Sequence, residues 1–355
     1  TPIVSGVFNY TVTTAGPCVK PTSTGSITVT ADATLNLTSA TGTNNQSLCI
    51  NTAIANITYA VGGTGTGGAV TGLPPGVTAA FAGGVITISG SPISTVGSPF
   101  TYTVTTTGPC VKPTATGTIT VNPDATINLT SAPPTTSQEL CRNSTLVNIT
   151  YSIANGGTGA TVTGLPTGVT SIFAAGVFTI SGSPSVAGTF NYTVNTTGTC
   201  VQASATGSIL VNQLPTANFN YSTPNCQNKI ITFTDASVAN SGVLNSWAWN
   251  FGDGNTGTGT PITHAYAAVG TYNVTLTVTT DKGCTSNPMA NIPVSVSVNP
   301  KSGFMIPEVC INDIAAVFTD TSSITAPGTF NPAGYEWDFG DGSPKTFTKD
   351  GTHLY

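Results

Sequence analysis

Charged side chains are scarce in this chain of 355 residues: Asp, Glu, Lys and Arg together make up 6% of it, against roughly 25% in an average soluble protein. With seven Lys, one Arg and a net charge of −5, an electrostatic hold on nucleic acid or on anionic lipid is excluded. No run of about 18 apolar residues occurs, so we expect no membrane span. The first residues lack the basic and apolar regions of a signal peptide, and we expect none in this sequence.

The sequence also lacks heptads and helical stripes. Instead, it contains 68 Thr and 40 Gly, and 39% of its residues are hydrophobic, which is enough for packed cores. Thr, Val and Ile are restricted at χ1 and suit the pleated surface of a sheet. The composition therefore predicts an all-β, extracellular protein.

Self-similarity divides the chain into modules of about 90 residues. The segment FNYTVTTAGPCV, which starts at Phe8, returns with few changes at Phe100 and at Phe190. The block ADATLNLTSA at Ala31 returns as PDATINLTSA at Pro123, 92 residues later. We therefore expect boundaries near residues 31, 123 and 213.

A second kind of module begins near Gln213. WAWNFGDG at Trp247 is echoed by YEWDFGDG at Tyr335, and THAY at Thr263 is echoed by THLY at Thr352. The predicted domains are a partial repeat at 1–30, two full repeats at 31–122 and 123–212, a module of the second kind at 213–298, and a partial copy of it at 299–355.

Within each module, apolar residues alternate with Thr, as expected for strands with one buried and one wet face. Phe100, Tyr102 and Val104 share one such face. Turn signals recur roughly every 8–12 residues, and about seven short strands per module are typical of an immunoglobulin-like (Ig-like) sandwich. The joints contain no Gly/Ser tract, which favours an elongated rod of serial sandwiches, well over about 120 Å long.

The second module resembles the polycystic kidney disease (PKD) domain, an Ig-like sandwich, in its ordered motifs FTDAS, WAWNFGDG, HAY and GTYNVTLTV. The first module is similar to Ig-like repeats with a GLPPGVT…ITISGSP…FTYTV pattern. Tandem arrays of such Cys-bearing modules resemble the giant surface adhesins of gliding Bacteroidota. The resemblance implies a cell-surface fibre exported by type IX secretion.

The partners that this resemblance implies are neighbouring repeats of the same chain, an extracellular surface or polysaccharide, and the secretion and motility machinery. The predicted function is a non-catalytic stalk segment of a secreted adhesin or filament. The alternative is an accessory binding region of a secreted enzyme that degrades polysaccharide or protein.

We expect no enzyme in this sequence. The two His residues, His264 and His353, occupy equivalent places in T-H-x-Y, which predicts a role in the fold, because a catalytic His would be unique to one site. Glu139, Glu308 and Glu336 are the only Glu residues, and they are scattered along the chain near turns or strand edges, which does not fit the carboxylate pair of a glycosidase.

The F-G-D-G motifs predict tight turns at Asp253-Gly254 and Asp341-Gly342, because Gly accepts positive φ and Asp can bond to its own backbone. Calcium is the alternative for the acidic residues, since it prefers six to eight oxygen ligands. The weak candidates are Asp313, Asp320, Asp338 and Asp341. We otherwise expect no cofactor.

Three aromatic residues are predicted to belong to the cores. Trp249 and Trp337 occupy the third-strand position at which Ig-like sandwiches keep a buried aromatic residue. Tyr272 lies on the apolar face of a later strand. We expect no exposed aromatic platform for sugars.

The eight cysteines form two classes. One class precedes the second strand of each module, and the other follows the sixth strand; in chain order they are Cys18, Cys49, Cys110, Cys141, Cys200, Cys226, Cys284 and Cys310. Disulfides are expected, because no Cys-x-x-Cys or His pair accompanies them. Two pairing schemes are possible.

The pairing within modules would join Cys49–Cys110, Cys141–Cys200 and Cys226–Cys284. However, the second and sixth strands of an Ig-like sandwich run in the same direction, so these positions lie about 20 Å apart, at opposite ends, whereas a disulfide needs Cα atoms within about 7 Å. Pairing between neighbouring modules, Cys49–Cys200 and Cys141–Cys284, meets this limit, and we favour it over the first scheme.

Overall fold

Alternation of Thr with Val, Ile and aromatic residues produces the strands of this protein, since β-branched and aromatic side chains pack well on a pleated surface. The computed structural model describes residues 1–310, 315–324 and 334–355. Within them are 28 strands and one 3₁₀ helix of four residues, Pro133–Thr136. No helix in these ranges has the length and apolarity that a membrane crossing requires. The predicted all-β fold of tandem sandwiches is confirmed.

Residues 1–30 form a two-stranded antiparallel sheet from β1 (Gly6–Thr13) and β2 (Thr22–Val29). Its alternating apolar residues are about half exposed; among them are Phe8, Tyr10 and Ile27. These strands correspond to the last two strands of a full module.

Residues 31–122 form a complete sandwich of two four-stranded sheets. Its strands are β3 (Thr34–Leu37), β4 (Asn45–Cys49), β5 (Ile57–Gly62), β6 (Gly67–Thr71), β7 (Val77–Ala82), β8 (Val85–Gly90), β9 (Phe100–Thr107) and β10 (Thr114–Asn122). One sheet has the order β3-β5-β8-β7 and the other β4-β10-β9-β6. Between the sheets lies an apolar core in which the hydroxyls of Tyr59 and Tyr102 lie 3.2 Å apart.

The first strand of this sandwich is split between the two sheets. β3 pairs antiparallel with β5, whereas β4 crosses to the other sheet and pairs in parallel with β10 over five residues. The last pair in this ladder joins Cys49 to Asn122. Cys49 therefore lies beside the point where the chain leaves the module.

Residues 123–212 repeat this arrangement strand for strand. They form β11 (Ala125–Leu129), β12 (Ser137–Cys141), β13 (Ile149–Asn155), β14 (Gly157–Thr163), β15 (Val169–Ala174), β16 (Val177–Gly182), β17 (Gly188–Gly198) and β18 (Ser204–Asn212). β12 pairs in parallel with β18, and Cys141 lies opposite Asn212.

Residues 213–298 form a smaller sandwich around an aromatic core. Its strands are β19 (Phe219–Tyr221), β20 (Ile231–Asp235), β21 (Leu244–Asn250), β22 (Thr256–Thr258), β23 (Ile262–His264), β24 (Gly270–Thr280) and β25 (Ala290–Val296). The sheets have the orders β19-β20-β23 and β22-β21-β24-β25. The parallel contact with the last strand is reduced to one bridge, between Cys226 and Ser297.

The described part of residues 299–355 contains β26 (Phe304–Met305), β27 (Ala316–Asp320) and β28 (Gly351–His353) in one antiparallel sheet. Phe318 and Trp337 pack together there, with ring centres 6.0 Å apart. This arrangement repeats the Phe233–Trp249 contact of the preceding module, at 5.8 Å.

Candidate functional site at the module joints

The chemistry-bearing residues of the described ranges do not gather into a group that could hold a metal ion. No group of three His, Cys, Asp or Glu residues gathers within these ranges. Of the calcium candidates, Asp313 lies outside the described residues. Asp320, Asp338 and Asp341 each accept a hydrogen bond from a backbone N–H two residues ahead, at 2.9, 3.1 and 3.0 Å. These carboxylates therefore close local turns.

The first joint connects the modules at 31–122 and 123–212 through a disulfide between Cys49 and Cys200, whose Cα atoms are 5.5 Å apart. Cys49 ends β4, and Cys200 lies in the loop between β17 and β18. Beside the disulfide, the Asn122 side-chain amide donates to the Ser47 hydroxyl at 3.0 Å. The disulfide is thus a second covalent bond between neighbouring sandwiches, in addition to the backbone that connects them.

The second joint connects the modules at 123–212 and 213–298 in the same way. Cys141 at the end of β12 bonds to Cys284 after β24, again with Cα atoms 5.5 Å apart. Both disulfides join neighbouring modules, as the argument from strand direction predicted. Neither is one of the alternative pairs within a single module.

An ion pair accompanies the second disulfide. The Glu139 carboxylate lies 3.2 Å from the Lys282 ammonium and accepts a hydrogen bond of 2.9 Å from the Asn212 amide. The Asn212 hydrogen bond, and then Lys282, hold the pKa of the Glu139 carboxyl below its usual range. Both charged side chains remain about two-fifths exposed, so water and salt weaken their attraction.

Three further cysteines, Cys18, Cys110 and Cys226, carry no disulfide. Cys110 is placed like Cys200: its Sγ lies 3.8 Å from the Thr30 carbonyl oxygen, and the Cys200 Sγ lies 3.8 Å from that of Asn122. Cys226 is placed like Cys49 and Cys141, opposite Ser297, which directly follows the last strand. All three thus occupy the positions that carry disulfides elsewhere in the chain.

The turn residues have a second contact that the sequence did not predict. Asp253 accepts a hydrogen bond from the Asn255 backbone at 3.0 Å, and its other oxygen lies 2.7 Å from the His264 Nε2. Gly254 follows with φ +96°. Although the backbone of Asp253 is exposed, its side chain is only 16% exposed. Partial burial raises the pKa of Asp253, but the hydrogen bonds from Asn255 and His264 outweigh it and lower this pKa.

The same contact recurs between Asp341 and His353, also at 2.7 Å, with Gly342 at φ +81°. Each imidazole stacks on a Phe ring, with centres 4.3 Å apart. Hydrogen bonds from Ser343, and then from His353, hold the pKa of Asp341 well below its usual range. This recurrence supports a structural role for both histidines, which fasten the turn to the core.

The predicted core aromatics differ in burial. Trp249 is buried, and its indole N–H donates to the Gly259 carbonyl at 2.8 Å. Trp337 and Tyr272 are half-buried. Tyr272 stacks on Tyr266 at 4.1 Å, and its hydroxyl donates to the Ala268 carbonyl. All three pack inward.

Sequence reasoning missed the ion pair and the parallel β4–β10 and β12–β18 contacts. A signal for the ion pair was present, because Glu139 and Lys282 each stand two residues before a cysteine of the same disulfide. The parallel contacts had no such signal, since β4 reads NQSLC and does not alternate regularly.

Parts of this chain are similar to known proteins. Residues 212–296 match the family model of the PKD domain. A stretch of 61 residues is 39% identical to collagenase ColA of Bacillus cereus; it covers 17% of this chain and 6% of that collagenase. The PKD1 domain of the Vibrio cholerae metalloprotease PrtV is 31% identical, covering 23% of this chain and 96% of that chain, with a TM-score of 0.21. The titin fragment I67–I69 is 11% identical, covering 76% and 100%, with a TM-score of 0.49.

The molecule is therefore a tandem array of β-sandwiches. Residues 212–296 form a PKD domain, and the preceding modules are Ig-like sandwiches. Disulfides form and persist in oxidising compartments, so disulfide-bonded modules of this kind indicate an extracellular protein.

Proposed function

We propose that this chain is a non-catalytic stalk segment of a repetitive, secreted cell-surface adhesin or filament. The observation that carries the proposal is the disulfide across each of two successive joints, Cys49–Cys200 and Cys141–Cys284. A binding or catalytic module needs no covalent bond to its neighbour. A stalk benefits from one, because the bond restricts bending at the joint.

The scarcity of charge supports the same role. The module at 31–122 carries only Asp32 and Lys112 as charged residues, and its outer strand faces are formed largely by Thr hydroxyls. Such faces lack the charge pattern that steers a specific partner. The specific contacts of the stalk are therefore those with its own neighbouring repeats.

The finer features of this proposal follow the resemblance to gliding-type adhesins. Export by type IX secretion would bring the chain to the cell surface, where the motility machinery and an extracellular surface or polysaccharide would be its partners. No membrane span, nucleic acid or cofactor is part of this role.

The test is to replace residues 31–298 in the producing cell with unrelated β-sandwiches of equal total length, and to compare this strain with a deletion of the same residues. If the segment is a stalk, the replacement retains adhesion and the deletion loses it. Surface labelling through an epitope outside residues 31–298 must detect the protein on intact cells of each strain. Loss of adhesion in both strains, with each protein still on the surface, would contradict a stalk role.

The second candidate is an accessory region of a secreted degradative enzyme, which the identity to collagenase ColA favours. In that case the replacement strain adheres normally but degrades insoluble collagen or polysaccharide more slowly. Sedimentation of the purified chain with collagen fibrils provides a direct measurement. Retention on the fibrils would favour the accessory role, and its absence would favour the stalk.

A further inference from the structure

In each complete module, two of the extended segments that run from its N-terminal to its C-terminal end adjoin its cysteines, and these two are here called crossings. In residues 31–122 the first crossing is β3 followed by β4, which ends at Cys49, and the second is β10, which follows Cys110. β4 and β10 run in parallel, side by side, and finish together at Cys49 and Asn122. The remaining strands lie between these crossings in the sequence.

Each disulfide connects the first crossing of one module to the second crossing of the next module. The Cys49–Cys200 bond leads from the end of β4 directly to the start of the β18 crossing. From Asn212 the backbone crosses the PKD domain through β19 and reaches Cys226. This continuous covalent path, from residue 31 to Cys49, across the disulfide to Cys200 and on to Cys226, is here called the first ply.

A second path complements the first in every module. It runs from Cys110 along β10, continues through β11 and β12 to Cys141, crosses the disulfide to Cys284, and follows β25 to the end of the PKD domain. This second ply uses β10 where the first uses β3 and β4, and uses β11 and β12 where the first uses β18. The two plies contact each other at β4–β10, at β12–β18, and at the Cys226–Ser297 bridge.

We propose that the disulfides make this segment a two-ply covalent cord in which tension bypasses the sandwich folds. The proposal rests on the stalk role for its purpose, but its geometry is independent of that role. Tension that enters the first ply at residue 31 reaches Cys226 through covalent bonds alone. Strands such as β5 to β9 are off this path, so the first ply does not need them in order to carry load.

The parallel pairing follows from the same arrangement. Tension on a polypeptide without the disulfide would pull β4 towards the N-terminus and β10 towards the C-terminus, so the two strands would slide past each other. The disulfide fixes the end of β4 to the following module, to which β10 is already joined by the backbone. Both strands are then held at the same end, and their register cannot slip.

The cord also accounts for the positions of the cysteines. Cys18 and Cys110 precede a last-strand crossing, as Cys200 and Cys284 do. Cys226 follows a first-strand crossing, as Cys49 and Cys141 do, and Cys310 is the corresponding residue of the next module. Every cysteine thus stands where one ply passes from one module to another.

The test stretches single molecules of the full, oxidised chain between two handles. The handles are attached through azide-bearing residues in place of exposed Thr30 and Lys229, which lie just outside the two ends of the first ply. The covalent path between them is roughly 50 residues, so the tether should stop lengthening at about 170 Å. With a reductant, the path becomes roughly 200 residues, and the limit should rise to about 700 Å.

In a matched experiment, one handle is attached at the first ply and the other at the second ply. Lys301 follows the end of β25 and lies at the same end of the PKD domain as Lys229. Between Thr30 and Lys301 the shortest covalent path is roughly 95 residues, so the plies can separate and the tether should lengthen in steps to about 330 Å. Same-ply handles should show no such steps.

Two double variants identify which bond carries the load. Cys49→Ser with Cys200→Ser should abolish the limit at about 170 Å for the same-ply handles, whereas Cys141→Ser with Cys284→Ser should leave that limit unchanged. Module-sized steps in the oxidised same-ply tether, or equal effects of the two double variants, would overturn the cord. Either result would leave the stalk role intact, because that role is judged by adhesion and surface exposure.

Discussion

The two joints of this molecule share one covalent plan and differ in what surrounds it. Each has a disulfide with Cα atoms 5.5 Å apart, and in each an Asn at the end of the last strand donates to the residue two places before the first cysteine. In the first joint this acceptor is the Ser47 hydroxyl. In the second it is the Glu139 carboxylate, which also binds Lys282.

This difference separates the required contacts of a joint from the replaceable ones. The disulfide and the parallel strand pair persist although the following module changes from an Ig-like sandwich to a PKD domain. The polar side chains around them change with the partner, since residues 123–212 contain no Lys to pair with a carboxylate at position 47. The covalent bond therefore defines the joint, and the ion pair adapts it to one neighbour.

The largest effect that we expect comes from removing either disulfide. Cys49→Ser with Cys200→Ser, or Cys141→Ser with Cys284→Ser, should lower the free energy of unfolding by up to about 5 kcal/mol in the chain-entropy estimate. The bonds span 151 and 143 residues, and this estimate depends only on the logarithm of that number. The two losses should therefore be equal.

Denaturant unfolding measures these losses, monitored by Trp fluorescence for the PKD domain and the partial copy that follows it, and by circular dichroism for the whole chain. Cys110→Ser is the matched control, since Cys110 carries no disulfide; this variant should unfold like the parent chain. A clearly larger loss at the second joint would show that its ion pair depends on the disulfide and would end the equivalence of the two joints.

The pairing of these cysteines could be predicted because it depends on strand direction, which follows from the order of alternating segments. The predicted strand directions place Cys49 and Cys110 at opposite ends of one sandwich, and this placement favours the pairing between modules. The parallel β4–β10 pair could not be predicted, because β4 is short and polar. Its place is fixed by tertiary contacts such as those of Gln46, whose amide bonds to the backbone of Ala55 in both directions.

The His–Asp contact shows a similar limit. Asp253-Gly254 could be assigned to a turn from its residue types, and the repetition of His264 in His353 indicated a structural role. However, the turn explains only the hydrogen bonds from Asn255, whose backbone N–H and side-chain amide donate to the two oxygens of Asp253. One of these oxygens also meets His264, eleven residues later, because β22 and β23 bring that residue back over the turn, an arrangement that local sequence rules do not encode.

A smaller, pH-dependent effect should distinguish the PKD domain from the Ig-like modules, which have no His. Asp253→Asn removes a charged acceptor whose side chain is mostly buried, so it should cost about 2 kcal/mol of PKD-domain stability near pH 7. The folded state lowers the pKa of the Asp253 carboxyl below its ordinary value. The stabilising contribution is therefore complete above the ordinary pKa of the carboxyl and is lost as the pH falls through the lower, folded-state pKa.

Thermal unfolding of the parent and Asp253→Asn chains at neutral pH and at about pH 2.5 tests this sign. The difference between the two should be clear at neutral pH and should shrink in acid. Asp235→Asn is the matched control, because Asp235 also accepts a backbone N–H, from Ser237, but has no His partner in the described structure. An acid-insensitive difference would mean that the charge of Asp253 contributes nothing.

The smallest effect concerns the ion pair that distinguishes the second joint. Glu139→Gln keeps an acceptor for the Asn212 amide and removes the charge that faces Lys282, so the unfolding midpoint should fall only slightly at low salt. In about 1 M salt, where the screening length is about 3 Å, parent and variant should unfold alike. Ser47→Glu is the matched change at the first joint. Because no Lys faces that position, it should give no salt-dependent gain, and a gain there would show that the first joint offers a cationic partner to a carboxylate after all.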